Sequence, residues 1–291
     1  MRKIRLSIIS ALLWMVLAAG SFAQEAAQRA ALGGLANIRD IASKSECAAY
    51  SWKGRGKPPA GYIPGVAQIF ARAVCHPERA DVQVASSAAG AAQGDGDGLV
   101  VYQQDFEAAG MRNDVAGVDT LRHAYTLLVG LGMRESSGEY CEGRDVSACF
   151  NDGNSAEAGL FQTSYGAQKY SPSLGMLFAR YTTDKSGCLR DEFKGIVCRV
   201  RKSQNPHCPD ADSNPVGQPP GLDWQKLTKS CPAFAIEFGV VVLRTHAGPT
   251  KENGEFGPII HHQVELHPNC DLMLRQVQAY VEKNPSICSA L

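Results

Sequence analysis

The stretch Leu127-Leu128-Val129-Gly130-Leu131-Gly132-Met133 is strongly apolar and runs directly into Arg134-Glu135-Ser136-Ser137-Gly138. On a helix, Glu135 shares a face with Leu131 and Leu128, four and seven residues back. Burial beside that face penalises the charged carboxylate and is expected to raise its pKa. The helix C-terminus, the negative end of the macrodipole, pushes the same way. A carboxyl held in its acid form near neutral pH can protonate a leaving oxygen. The plainer alternative is an ion pair between Glu135 and a nearby arginine, Arg134 or Arg144, with no chemistry attached.

A second carboxylate would complete the usual apparatus for cleaving a glycosidic bond, with one group as acid and the other as nucleophile or base. The polar loop after Glu135 supplies Glu139, Glu142, Asp145, Asp152 and Glu157. Loop carboxylates are generally solvated charges. Two of these five have a positional argument in their favour. Glu157 adjoins the apolar turn Ala158-Gly159-Leu160-Phe161-Gln162-Thr163-Ser164, and Asp145 lies inside the loop that a Cys141–Cys149 bridge would close.

The order of Glu135-Ser136, a polar loop and Gly159-Leu160-Phe161-Gln162 resembles the lysozyme-like superfamily of lytic transglycosylases and goose-type lysozymes. There a helix ends in Glu-Ser, a variable loop follows, and Gly-Leu-Met-Gln comes next; here Phe161 stands in the Met position. The resemblance implies a lysozyme-like helical core with Glu135 as the catalytic acid. It also implies a sugar cleft formed by Ser136, Gly159, Leu160, Phe161 and Gln162. A third family element, Tyr-Asn-Ala-Gly-Pro after a buried helix, is matched at Ala247-Gly248-Pro249. Thr245 and His246 replace its Tyr and Asn. The family's Tyr is functional, so Thr245 leaves that role open, and His246 is placed at the cleft by position. The resemblance spans roughly residues 120–249 and is firmest over residues 127–162.

The reaction implied is cleavage of peptidoglycan between N-acetylmuramic acid and N-acetylglucosamine. In transglycosylases of this superfamily a single Glu acts first as acid and then as base, and no cofactor or metal is required. Two other outcomes fit the same residues. One is a wall-binding protein that keeps the fold without turnover. The other is a hydrolase of a different N-acetylated polymer such as chitin. A metal enzyme built on His246, His261, His262, His267 and Cys270 is disfavoured. His261 and His262 are adjacent, and only His267 and Cys270 have ligand spacing.

These residues need a helical frame to hold them. Residues 24–45 are Ala-rich and read as helical or frayed. Residues 66–74 form a short apolar helix, and residues 99–109 an amphipathic one. Asp119-Thr120 caps a helix reaching Met133. Residues 172–181 read as helical, residues 231–246 as a helix apolar nearly all round and therefore buried, and residues 271–283 as a last amphipathic helix burying Leu272, Leu274, Val277 and Val281. Residues 187–221 read as a long loop. Residues 78–98, rich in Ala, Ser and Gly and ending Gly94-Asp95-Gly96-Asp97-Gly98, read as a linker. Its Asp-Gly alternation lacks the EF-hand spacing. This divides the chain into a leader (1–23), an N-terminal Cys-containing segment with the linker (24–98) and the catalytic domain (99–291). Trp52, Arg55 and Tyr62 in the N-terminal segment could stack on sugars or simply pack around Cys47 and Cys75. There is little strand signal and no internal repeat.

The leader carries Arg2, Lys3 and Arg5, an apolar run from Leu6 to Gly20, and Ser21-Phe22-Ala23, the pattern of a secretory signal peptide. Its removal takes the 29 cationic side chains to about 26 against 29 anionic ones. A slightly acidic chain is poorly suited to sequence-independent nucleic-acid binding. No later stretch is apolar for long enough to span a bilayer. All ten cysteines follow the leader, and their even number points to disulfides in an exported protein, periplasmic or extracellular. Cys47–Cys75 and Cys141–Cys149 are the pairings suggested by proximity in the chain.

Overall fold

The computed structural model describes residues 32–91, 96–143, 152–198, 215–249 and 254–291. The leader, Asp145, Cys149 and Cys208 lie outside the described residues. The protein is mainly α-helical, and among the described residues β-pairing is confined to two isolated bridges. The helices are α1 (32–43), α2 (Glu46–Ala49), α3 (Tyr62–Cys75), α4 (Ala80–Ser86), α5 (Gly98–Val101), α6 (Gln103–Ala108) and α7 (Val118–Ser136). They continue with α8 (Pro172–Thr183), α9 (Gly221–Ser230), α10 (Pro232–Thr245), α11 (Gly257–Ile260) and α12 (Pro268–Lys283). No helix among the described residues is long and apolar enough to cross a membrane.

The core forms where the most apolar helices meet. All of α7 from Thr120 to Met133 is buried, as is α10 along its whole length. α3, α4, α10 and α12 pack around α7. Proline opens α8, α10 and α12, where its missing N–H costs no helical hydrogen bond and its fixed φ suits the first turn. The amphipathic segment expected over 99–109 is divided into α5 and α6 at Tyr102, whose hydroxyl accepts the Val264 N–H at 3.0 Å. In α12, Leu274, Val277 and Val281 are buried as their spacing predicts, but Leu272 is 51% exposed and belongs to the outer face.

The expected linker is a packed part of the fold. α4 forms within it and lies against α7 and α10. Asp97, read as part of a glycine-rich spacer, is 0% exposed and pairs with the equally buried Arg244 of α10 through two contacts of 2.9 Å. Asp97 also accepts the N–H groups of Gly90 and Leu99, which anchors α5. Arg244 donates further to backbone carbonyls of Ala85, Ser87 and Ala88. A guanidinium with several donors can gather a segment that has few large apolar side chains of its own to bury. The expected boundary near Gly98 therefore does not separate two packed units. Tyr62, Val66 and Phe70 of α3 share one core with Leu127, Phe238 and Leu274. Tyr62, considered above for sugar stacking, is buried and donates to the Val129 carbonyl at 2.9 Å.

Four disulfides are present among the described residues, and both proposed pairings are corrected. Cys47 bonds Cys270 and Cys75 bonds Cys288, tying α2 and α3 to the C-terminal end of the chain. Cys141 bonds Cys198, and Cys188 bonds Cys231. Proximity along the chain misled because packing α12 against α2 and α3 brings distant cysteines together.

A second buried cluster fixes the bundle. Glu237 of α10 takes hydrogen bonds from Arg72 of α3 at 2.6 and 3.0 Å and from the Tyr181 hydroxyl of α8 at 3.0 Å. Arg79, just before α4, lies 2.7 Å away, and Arg180 of α8 pairs with the same carboxylate. Burial alone would raise the Glu237 pKa, but the three guanidiniums outweigh it and hold it down at about 2.

Candidate active site

Glu135 sits half-buried on the last turn of α7, and Ser136 is buried behind it, its hydroxyl donating to the Gly132 carbonyl at 3.1 Å. Ser-Ser-Gly ends the helix. Ser137 adopts a left-handed conformation (φ 58°) and its N–H donates to Met133 at 3.0 Å, while the Gly138 N–H reaches the Gly132 carbonyl at 3.1 Å. The chain then turns back on itself through Glu139 N–H to Ser136 and Glu142 N–H to Glu139. This close reversal depends on Gly138 (φ 79°). A Cβ there would lie 2.9 Å from Cγ of Tyr62 and 3.0 Å from Cδ of Pro59. Tyr62 cannot give way easily, because it is buried and hydrogen-bonded. Gly138→Ala is expected to cost about 2 kcal/mol through left-handed strain and overpacking. A urea midpoint unchanged from the parent would contradict that.

The loop after Glu135 is stitched to the Gly-Leu-Phe-Gln turn. The Gly159 N–H donates to the Glu142 carbonyl at 3.1 Å, and the Gln162 side-chain amide donates to the carbonyls of Gly143 and Gly159, each at 2.9 Å. An Ala158–Thr163 bridge closes the turn, with Gly159 (φ 79°) and Gln162 (φ 49°) both left-handed. Phe161 drives inward between α7 and α10. A Cβ at Gly239 would lie 2.5 Å from its ring, and one at Gly132 would lie 3.1 Å from it. The turn that follows the loop is thus wedged against α7 one helical turn before Glu135.

The expected cleft residues divide by accessibility. Ser136, Leu160 and Phe161 have essentially no exposed surface, so they position the turn and do not line a ligand path as expected. Gly159 is also buried, beside Thr228 of α9. Gln162 and Glu157 are half-buried at the turn's edge and keep access to solvent. His246 is buried and stacks on Tyr170, with ring centroids 3.3 Å apart and planes 17° apart. Thr245 is buried, its hydroxyl committed to the Val241 carbonyl at 2.8 Å.

Three residues of this region were not singled out for the site from the sequence. Tyr170 supplies the aromatic face on His246, and the Lys169 ammonium lies 4.8 Å from its ring centroid. Glu255 comes from the segment beyond Ala247-Gly248-Pro249. Its carboxylate accepts the Ser164 N–H at 2.9 Å, two residues from Gln162, and its own N–H donates to His246 at 2.8 Å. Burial pushes the Glu255 pKa up, against the lowering pull of its hydrogen bonds to Ser164. Glu139 and Glu142, assigned above to solvated loop charge, are only 5% and 8% exposed. Burial lowers the pKa of Lys229 near this region, while Glu142 pulls it upward. The loop after Glu135 and the segment bonded to the Gly159–Ser164 turn thus carry carboxyl groups that are largely withdrawn from solvent.

No group of three or more His, Cys, Asp or Glu arranged to hold a metal ion occurs among the described residues. Cys270, the one cysteine with histidine ligand spacing, is consumed in a disulfide. Comparison with family models, curated proteins and solved structures gives no match to this chain.

Proposed function

We propose that this protein is an exported peptidoglycan-cleaving glycosidase with Glu135 as its acid and base. The observation that carries the reading is the stitched helix end, in which backbone and amide bonds from Gly159 and Gln162 hold the loop that follows Glu135. A carboxyl on a helix terminus held by such bonds is suited to protonating a glycosidic oxygen. In the first step the Glu135 carboxyl gives its proton to the bridging oxygen as the bond from muramic acid C1 to that oxygen breaks. In the second, the Glu135 carboxylate takes the proton of the muramic acid C6 hydroxyl as O6 bonds C1, leaving a 1,6-anhydro end and a free N-acetylglucosamine 4-hydroxyl. The four disulfides among the described residues are in keeping with an oxidising compartment outside the cytoplasm.

One observation favours a hydrolytic variant. Glu255 is pinned by Ser164 near Gln162 and could direct water in place of the C6 hydroxyl. It joins Glu157 and Asp145 as a candidate second carboxylate, with a backbone N–H to orient it. Mass spectrometry of a digest of purified peptidoglycan tests the reading. Anhydro-muramyl products are expected, reducing ends would assign hydrolysis, and intact strands with retained binding would make the protein a wall-binding one.

A further inference from the structure

Of the four disulfides among the described residues, Cys141–Cys198 is the one that fastens the loop following Glu135. Cys141 stands two residues before Gly143, whose carbonyl takes the Gln162 amide. The bridge joins positions 57 residues apart, and the Gly159–Gln162 turn lies between them. The Cys198 side is anchored a few residues upstream. Cys188 bonds Cys231 at the start of α10, and the Arg190 Nε donates to the Ser230 carbonyl at 2.7 Å. Phe193 is buried against α3, where a Cβ on Gly65 would fall 2.3 Å from its ring. Tyr140 meets the Phe193 ring edge-on, with centroids 5.7 Å apart. Beyond Phe193 the chain comes out to solvent: Lys194 and Gly195 are exposed, and Val197 is 80% exposed. The bridge thus ties the loop beside Glu135 to the outer end of a firmly held segment.

Accessibility sets this bridge apart. A thiolate must reach a disulfide sulfur to displace the other one, so exchange is governed by access. Cys47, Cys270, Cys188 and Cys231 are at most 2% exposed, which seals two of the bridges. Cys141 and Cys198 are both partly exposed. Cys75–Cys288 is partly exposed as well, but it joins the end of α3 to the last turn of the chain and includes no part of the candidate site.

We propose that Cys141–Cys198 is a thiol-exchange site through which a dithiol reductant loosens the loop after Glu135 and slows turnover. The effect on turnover rests on the glycosidase reading above; the loosening of the loop does not. One thiolate of the reductant attacks Sγ of Cys198, forming a mixed disulfide and releasing Cys141 as a thiolate. The second thiol of the reductant then displaces Cys198 and closes the reductant's own disulfide. Two electrons pass to the protein, and the two protons of the dithiol end on Cys141 and Cys198. The bonds from Gly159 and Gln162 to the loop are then left without their covalent tie to the Phe193 segment.

The test treats the folded protein with graded dithiothreitol, without denaturant, and traps free thiols with iodoacetamide for peptide mass spectrometry. Cys141 and Cys198 are expected to be labelled at about tenfold less reductant than Cys47, Cys270, Cys188 and Cys231. In that partly reduced protein the Gly159 amide, which donates to the Glu142 carbonyl, should exchange its hydrogen about tenfold faster. Solubilisation of peptidoglycan should slow by about tenfold and recover on reoxidation with glutathione disulfide. Cys141→Ser with Cys198→Ser should be slow from the outset and unresponsive to dithiothreitol, which separates this bridge from Cys75–Cys288. The reduction arm starts from folded parent protein, so it stands even if the serine variant folds poorly. Labelling of the sealed bridges together with Cys141–Cys198, or an unchanged Gly159 amide once that bridge is open, would overturn the exchange site. Selective opening with a faster Gly159 amide in a protein that never cleaves peptidoglycan would support the site and discard the glycosidase reading. Cleavage at full rate with the bridge open would overturn the control of turnover and leave that reading standing.

Discussion

Replacing Glu135 with Gln is expected to slow the solubilisation of purified peptidoglycan by about a thousandfold. Gln keeps the shape of the side chain at a half-buried site and loses the proton that the leaving oxygen must receive. The helix terminus is set by Ser137, Gly138 and their bonds to Met133 and Gly132, none of which involves the Glu135 carboxyl, and thermal unfolding of the variant separates lost chemistry from lost folding. Glu135→Asp offers a sharper comparison. It keeps the acid but withdraws it by one methylene, and a small misplacement of a reacting group is itself costly. Release of soluble fragments, followed by chromatography against the parent, supplies the measurement. A Gln variant within tenfold of the parent would remove Glu135 from the chemistry.

Glu237→Gln is expected to lower stability at neutral pH by about 3 kcal/mol, because it leaves Arg72, Arg79 and Arg180 converging on an uncharged amide. The pH dependence provides a second check. The folded carboxyl titrates at about 2, below the roughly 4.3 of an unfolded glutamate. A depressed folded value means that the stabilisation is fully present above the unfolded value and is lost as pH falls from about 4 toward 2. Urea midpoints measured between pH 7 and pH 2 should therefore fall more steeply for the parent than for Glu237→Gln over that window. Parallel curves would mean that the arginines stabilise the fold by packing and not by charge.

Local patterns in the sequence announced the helices that matter most. The apolar run before Glu135, the nearly continuous run of α10 and the spacing of Leu274, Val277 and Val281 each set burial within a few residues of chain, and the structure follows them. The contact between the end of α7 and the Gly159–Gln162 turn could be anticipated because both motifs carry recognisable residues. Groups whose state depends on distant partners were not legible. Asp97 reads as solvent-facing until Arg244, 147 positions later, is placed against it. Glu237 looks misplaced in an apolar helix until three arginines surround it, and Glu255 is an ordinary loop acid until Ser164 orients it. The same limit explains the disulfides, since cysteine spacing along a chain carries no information about which helices will lie side by side. Leu272 marks the opposite error: an apolar residue inside an amphipathic helix need not face inward.

The long-range cross-links also set an order of events in biosynthesis. Cys47 must wait for Cys270, 223 residues later, and Cys75 for Cys288, 213 residues later. At roughly 5–20 residues per second that interval is on the order of 10–40 s. Seven other cysteines emerge before the proper partner of Cys47 exists. Oxidation in order of appearance would join the wrong thiols, so the native pattern needs either thiols kept reduced until Cys288 has been made or exchange through mixed disulfides afterwards. The segment around Cys47 and Cys75 thus stays chemically unfinished until Cys270 and Cys288 arrive, and a nascent chain stalled before residue 270 would carry both thiols without their partners.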